Sequence, residues 1–208
     1  MNKSKIAALA AAATVAAGCA GMMGSNDETH AKAVAMMKAS FKERGQAKLD
    51  RLDQDEVQRM CSEYRADKAP PKDLAARLEQ SQLAKIKYPA DGKYLGDWKA
   101  GEKIAQTGVG MQYSDDPKQA SGGNCYACHQ LTRAEVSFGT IGPSLYNFGK
   151  VRGFTPAMQK YAYGKVYNSE AFSACSSMPR FGHSGILTEK QIKDVVALLM
   201  DPESPVNK

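Results

Sequence analysis

Along residues 25–90 apolar side chains recur at steps of three and four: Val34, Met37 and Phe41, then Val57, Met60, Cys61 and Tyr64, then Leu74 and Leu78. That period is helical, so the pattern predicts three amphipathic helices. The last opens with Pro71 in its first turn, where a missing N–H costs little. The stretch is charged, rich in Ala and Gln and nearly without Gly, with breaks at Pro70-Pro71 and Pro89. Such narrow stripes bury little, so these helices are expected to lie on another part of the chain, on a partner chain or on both. From about residue 91 the composition turns to Gly and aromatics. Asp97 there offers an N-cap for a short helix that carries Gly101, Ile104 and Ala105 on one face. Near the end, Thr188 and Gln191 stand at capping-box spacing ahead of Ile192, Val195, Val196 and Leu199, a single apolar stripe. The small faces of Gly101 and Ala105 would let the first of these helices cross the last closely. No alternating strand pattern lies between them, so the expectation is an all-α domain over residues 91–208 with a helical N-terminal extension over 19–90.

The opening residues follow a different logic. Lys3 and Lys5 precede an apolar run too short to span a membrane, and small residues follow it, so residues 1–18 have the form of a secretory signal peptide and the expected location is the periplasm. Ala16-Ala17-Gly18-Cys19 resembles a lipobox, although Ala16 stands where Leu is preferred. Processing there would leave a lipid anchor on Cys19, whereas an ordinary cut near Ala20 would leave a soluble product. Removing Lys3 and Lys5 without any acid takes the formal charge from +6 to +4. That mild excess is spread along the chain with no aromatic-interleaved basic cluster, which argues against nucleic acid as a partner.

The chemistry is carried by "GGNCYACHQ". Cys125, two intervening residues, Cys128 and an adjoining His129 make the c-type haem attachment pattern. Two sulfurs three residues apart at the start of a helix lie about one turn apart, within reach of the two haem vinyl groups, while the next side chain reaches the iron. One segment thus supplies two covalent anchors and the proximal ligand. A structural zinc knuckle would need two more ligands, and neither His30 nor His183 shows finger-like spacing to this pair. A proximal His normally donates its second ring N–H to a backbone carbonyl. In "GTIGPSLYNFG", Pro143 can expose such a carbonyl in a rigid loop, with Leu145 beside it to pack on the porphyrin, although Gly142-Pro143 also reads as a plain turn. For the opposite face of the iron, "SACSSMPRFGHSG" offers Cys175, Met178 and His183. Met178 is the expected ligand, because it sits in a Gly- and Ser-rich loop, is barred from helix by Pro179 and immediately precedes the last helix. A His/Met pair favours ferrous iron and suits an electron acceptor; His183 or Cys175 in its place would give a lower potential.

Five cysteines then divide simply. Two take the haem and Cys19 is removed or lipidated, which leaves Cys61 and Cys175. In an oxidising compartment these are expected to pair, the alternative being two separately buried thiols.

Taken together, the CxxCH segment, "GTIGPSL" and "SSMPRFG" followed by "LTEKQIKDVVALL" resemble the SoxX family, the small monohaem subunits of the SoxAX complexes of bacterial sulfur oxidation. The likeness covers about residues 91–208, and its specificity lies in the loop around Met178. The N-terminal helices exceed the shortest members and match an extended form. The resemblance implies a class I cytochrome c fold, one haem c with His129 and Met178 as axial ligands, and a heterodimer with a SoxA chain. It further implies that the complex acts as an L-cysteine S-thiosulfotransferase, coupling thiosulfate to a cysteine of the carrier SoxY. The sulfur-transfer site then belongs to SoxA, and this chain accepts electrons and passes them to a downstream acceptor. No catalytic residue is expected on this chain, which shows no nucleophile–base constellation. Two rival readings are a free electron-transfer cytochrome serving a terminal oxidase or dehydrogenase, and a lipoprotein whose N-terminal helices are the working part.

Overall fold

The computed structural model describes residues 26–64 and 69–208. The signal segment and Cys19 lie outside the described residues. The chain divides into two compact units. The described part of the first ends at Arg44 and includes Lys48–Leu52; the second comprises Gly45–Ala47 and Asp53–Lys208.

In the first unit, α1 (Asn26–Ser40) bears a Glu28–Lys32 ion pair of 2.6 Å at i,i+4 spacing. Val34 and Met37 on its apolar stripe are half-buried, whereas Phe41 just beyond it is exposed.

The second unit begins with α2 (Glu56–Ser62). The Asp55 carboxylate accepts from the Gln58 N–H and the Gln58 side chain accepts from the Asp55 N–H, a capping box that satisfies two donors at the helix start. Val57 is the buried residue of this helix. α3 (Lys72–Leu83) follows Pro71, which holds the N-cap position, and it buries Leu78 and Gln82. Both helices therefore belong to the compact unit that carries the CxxCH segment, which reaches back past residue 91 to Asp53.

The centre of the unit is the crossing of α4 (Trp98–Gln106) and α7 (Glu189–Met200). Asp97 caps α4 by accepting from the Lys99 N–H, and Thr188 with Gln191 forms the capping box of α7. At the contact a Cβ on Gly101 would stand 2.0 Å from the Asp194 carbonyl oxygen, so only a residue without a side chain permits the approach. The buried Asp194 ties the two helices together: its carboxylate accepts from the Asp97 N–H at 2.9 Å and pairs with Lys190 at 2.7 Å.

α7 is more completely enclosed than its predicted stripe. Besides Ile192, Val195, Val196 and Leu199, the residues Ala197, Leu198 and Met200 are buried. Two elements absent from the sequence pattern cover the additional faces. α6 (Pro156–Tyr167) begins with Thr155 accepting from the Met158 N–H and Pro156 in the first turn. The 3₁₀ turn Pro205–Asn207 closes the C-terminus, with the Asn207 amide donating to the Leu199 carbonyl oxygen. A short α5 (Phe148–Arg152) precedes α6. Tyr163 of α6 is wholly buried and stacks among Tyr88, Tyr94 and Tyr167 at centroid separations of 5.6–6.1 Å, which joins the segment after α3 to the core. The seven α-helices among the described residues are connected by turns and loops, and none of them is long and apolar enough to cross a membrane.

Candidate functional site: the CxxCH turn and the Met178 loop

Cys125–Ala127 forms a single 3₁₀ turn that is entered through Asn124 in the left-handed region (φ 46°). The strand of chain leading into it is pinned to the end of α4, since the Gly122, Gly123 and Asn124 N–H groups donate to the carbonyls of Val109, Ile104 and Thr107. Within the turn the Cys128 and His129 N–H groups both donate to the Cys125 carbonyl at 3.1 and 2.9 Å. Cys125 packs against the hydrophobic core beside Ile104, and Cys128 is half-buried. Burial pushes the Cys125 thiol up to about 12. Among the described residues no group of three or more His, Cys, Asp and Glu side chains could hold a metal ion, which leaves the zinc-knuckle alternative without partners.

His129 is fixed by the loop 139–145. Its Nδ1 lies 2.7 Å from the Pro143 carbonyl oxygen, and only a ring N–H can donate to that acceptor, so Nδ1 carries the proton and Nε2 keeps its lone pair. The loop is itself held on the CxxCH segment: the Gly139, Gly142 and Leu145 N–H groups donate to the carbonyls of Tyr126, Cys128 and Gln130. Gly142 lies flat on the imidazole, where a Cβ would stand 2.1 Å from His129 Cε1. Leu145, half-buried, packs against the core next to this assembly.

The second segment runs from Ser169 to Arg180. Met178 is half-buried and packed against the core, and its backbone is held at both ends, with its N–H donating to Ser176 Oγ at 3.2 Å and its carbonyl accepting from Ser169 Oγ at 2.5 Å. Cys175 has φ 59° and is joined to Cys61 of α2 by a disulfide. Its sulfur is thereby removed from the candidate ligands. His183 lines a different cavity of about 510 Å³ with Lys85, Lys87 and Tyr167, a lining that includes neither Met178 nor any CxxCH residue. Burial, with the Arg180 and Lys85 cations nearby, holds its imidazole below the usual histidine range against the opposing pull of Asp55.

The arrangement suits a porphyrin iron. Two cysteines issue from one turn, an imidazole that donates from Nδ1 presents Nε2, and an uncharged thioether stands in a separate, well-anchored loop; nitrogen and thioether donors together are the set that low-spin haem iron takes in electron-transfer proteins. Sequence reasoning proposes Cys125, Cys128, His129, Pro143, Leu145 and Met178 for this site. It missed Gly142 as the surface against which the imidazole lies, and Ser169 as the anchor of the Met178 carbonyl, because both act through contacts distant in sequence.

One comparison with known proteins agrees with this chemistry. The family described as Cytochrome c matches residues 114–201. An uncharacterized lipoprotein of Aquifex aeolicus (strain VF5) is 41% identical over 156 residues, a span covering 74% of this chain and 73% of that protein. The crystal structure of SoxXA from P. pantotrophus is similar at 26% identity over 57% of this chain and 95% of that one, with a TM-score of 0.38. Residues 114–201 are a cytochrome c domain: an all-α electron-transfer domain whose cofactor is covalently attached haem c.

Proposed function

We propose that this chain is the electron-accepting subunit of a two-chain, SoxAX-type complex that couples thiosulfate to a cysteine of a carrier protein outside the cytoplasm. The motif likeness around Met178 supports the reading, and one structural observation carries it furthest. Among the described residues Cys61 and Cys175 are joined to each other and Cys125 and Cys128 stand in the haem-attachment motif, so in this reading the sulfur chemistry needs a thiol from another chain. Joining a thiol to thiosulfate forms one sulfur–sulfur bond and releases one proton and two electrons, and a monohaem subunit takes those electrons singly.

In this reading the haem supplies a one-electron couple. The chain's own residues set its properties. Cys125 and Cys128 would hold it, His129 Nε2 and Met178 Sδ would ligate the iron, and the Pro143 carbonyl, accepting from Nδ1, would raise the basicity of the imidazole. Leu145 supplies apolar contact beside the proximal side. The thioether, a weak donor to ferric iron, keeps the potential high enough to draw electrons from a sulfur centre. The lipoprotein relative and the Ala16-Ala17-Gly18-Cys19 sequence support anchoring of the mature chain through Cys19 on the outer side of a membrane.

Isolation of the holoprotein from its host tests the assignment. The expected result is co-purification with a larger haem protein, and reduction of the haem by thiosulfate plus a carrier thiol only when that partner is present. A chain that purifies alone and is reduced by an ordinary dehydrogenase, with thiosulfate inert, is a free-standing electron carrier and contradicts the proposal.

A further inference from the structure

The loop that carries Met178 is gripped by chain lying N-terminal to residue 91, through three tethers of different kinds. The Ala174 N–H donates to the Glu79 carboxylate of α3 at 2.9 Å. Arg180, whose side chain is 12% exposed, pairs with Asp55, the N-cap of α2, at 2.7 Å. Between these two polar tethers stands a covalent one, the bond from Cys175 to Cys61 of α2, with the two Cα atoms 5.3 Å apart.

Cys175 occupies the left-handed backbone region, which a side chain other than Gly or Asn adopts only where its surroundings impose it. Two features impose it here: the disulfide, and the buried Glu170 carboxylate, which accepts from the Cys175 N–H at 2.6 Å. The turn so enforced feeds directly into Ser176, whose hydroxyl accepts from the Met178 N–H. The placement of the thioether is therefore built on the turn at Cys175. Cys61 and Cys175 also line a cavity of about 480 Å³ together with Gln54, Val57, Met178 and Arg180, so a small thiol entering it comes among the residues of the bridge and Met178.

We infer that the Cys61–Cys175 disulfide is a thiol-responsive positioning element for Met178, whose cleavage by a low-molecular-weight thiol frees the turn at Cys175 and takes the thioether off the iron. This rests on the reading of Met178 as axial ligand. The thiolate of one reagent molecule attacks a bridge sulfur, forming a mixed disulfide and expelling a cysteine thiolate. A second reagent thiolate attacks the reagent sulfur of the mixed disulfide and expels the second cysteine thiolate, so that the protein disulfide is reduced by two electrons, the two reagent molecules leave as their disulfide, and the two cysteine thiolates take up the protons. Loss of the thioether lowers the reduction potential of the haem, so the bridge couples the thiol status of the surroundings to the readiness of the haem to accept an electron.

The test uses the full-length holoprotein. Its disulfide is reduced with dithiothreitol, Cys61 and Cys175 are alkylated, the iron is reoxidised with ferricyanide, and the near-infrared sulfur-to-iron charge-transfer band and the midpoint potential are recorded beside a sample alkylated without reductant. The same readings are taken on the Cys61→Ser, Cys175→Ser double variant. The expected result is loss of the band and a downward shift of the potential, with haem retained and the far-ultraviolet circular dichroism of the helices preserved. An unchanged band and potential with both cysteines blocked overturns the inference, and so does collapse of the helical signal, which would make the bridge a general stability element. Met178→Ala separates the two readings: if that variant loses the band while bridge cleavage leaves it intact, the ligand assignment stands and the inference falls, whereas a band that survives Met178→Ala removes the ligand assignment itself.

Discussion

Gly142 shows how much of the site rests on single atoms. Its hydrogen occupies space that a methyl group would share with the His129 ring, 2.1 Å from Cε1 and 2.5 Å from Nδ1, so Gly142→Ala must push the imidazole off the Pro143 carbonyl. Losing such an outer partner typically weakens a metal–ligand bond by about 10- to 100-fold. Protons compete with iron for Nε2, so an acid titration of the ferric holoprotein should show the low-spin spectrum lost about one to two pH units higher in the variant; an unchanged titration would show that the Pro143 contact does not govern the ligand. His183 gives a second prediction at this scale. Burial and two neighbouring cations lower its folded-state pKa, so the fold prefers the neutral ring. An unfolded chain binds a proton there near pH 6.5 and the folded one only at lower pH, hence this contribution is fully present above about pH 6.5 and is lost as pH falls from there through the lower folded-state value. His183→Gln should flatten the decline of denaturant stability between neutral pH and about pH 5, and an equally steep decline in the variant would assign it to other groups. The CxxCH residues were legible in the sequence because their chemistry is local. Gly142 and Ser169 were not, since their roles exist only once residues 129 and 142, or 169 and 178, have been brought together.

Among the elements, the decisive contact is the crossing of α4 and α7. Alanine at position 101 would gain about 1 kcal/mol of helix propensity, yet its methyl would meet the Asp194 carbonyl oxygen and carbon at 2.0 and 2.6 Å, both backbone atoms that cannot swing aside. The steric term wins. Gly101→Ala should cost about 1–3 kcal/mol net in chemical denaturation of the holoprotein, by the usual scale of overpacking, and a variant of equal or greater stability would mean that the helices separate without penalty. Both helices of this pair were readable from their caps and stripes, as were α1, α2 and α3. α6 was not: its apolar residues do not sort to one side, because Ala162, Tyr163, Gly164, Val166 and Tyr167 are all buried and a helix enclosed on several sides leaves no amphipathic period. The signal it did carry was Thr155-Pro156, a capping residue followed by a proline suited to a first turn.

At the scale of the whole molecule, composition divides the chain near residue 91 while packing divides it at Asp53, and the physical reason lies in the tethers. α2 and α3 are too polar to form a core, but one disulfide, the Asp55–Arg180 pair, the Glu79 contact and the hydrogen bonds from Asn168 to Gln82 fasten them to the loop that ends in Met178. The pairing of Cys61 with Cys175 was the one long-range contact that residue counting could anticipate, because it followed from which thiols remained. What α2 contributes is residues that line a cavity beside Met178, opposite in origin to the CxxCH turn and its Pro143 loop. The account therefore depends on iron held between His129 and Met178. Near-infrared magnetic circular dichroism of the ferric holoprotein distinguishes axial pairs directly. The account predicts the low-spin signature of imidazole with thioether, and a bis-imidazole or high-spin signature would contradict it.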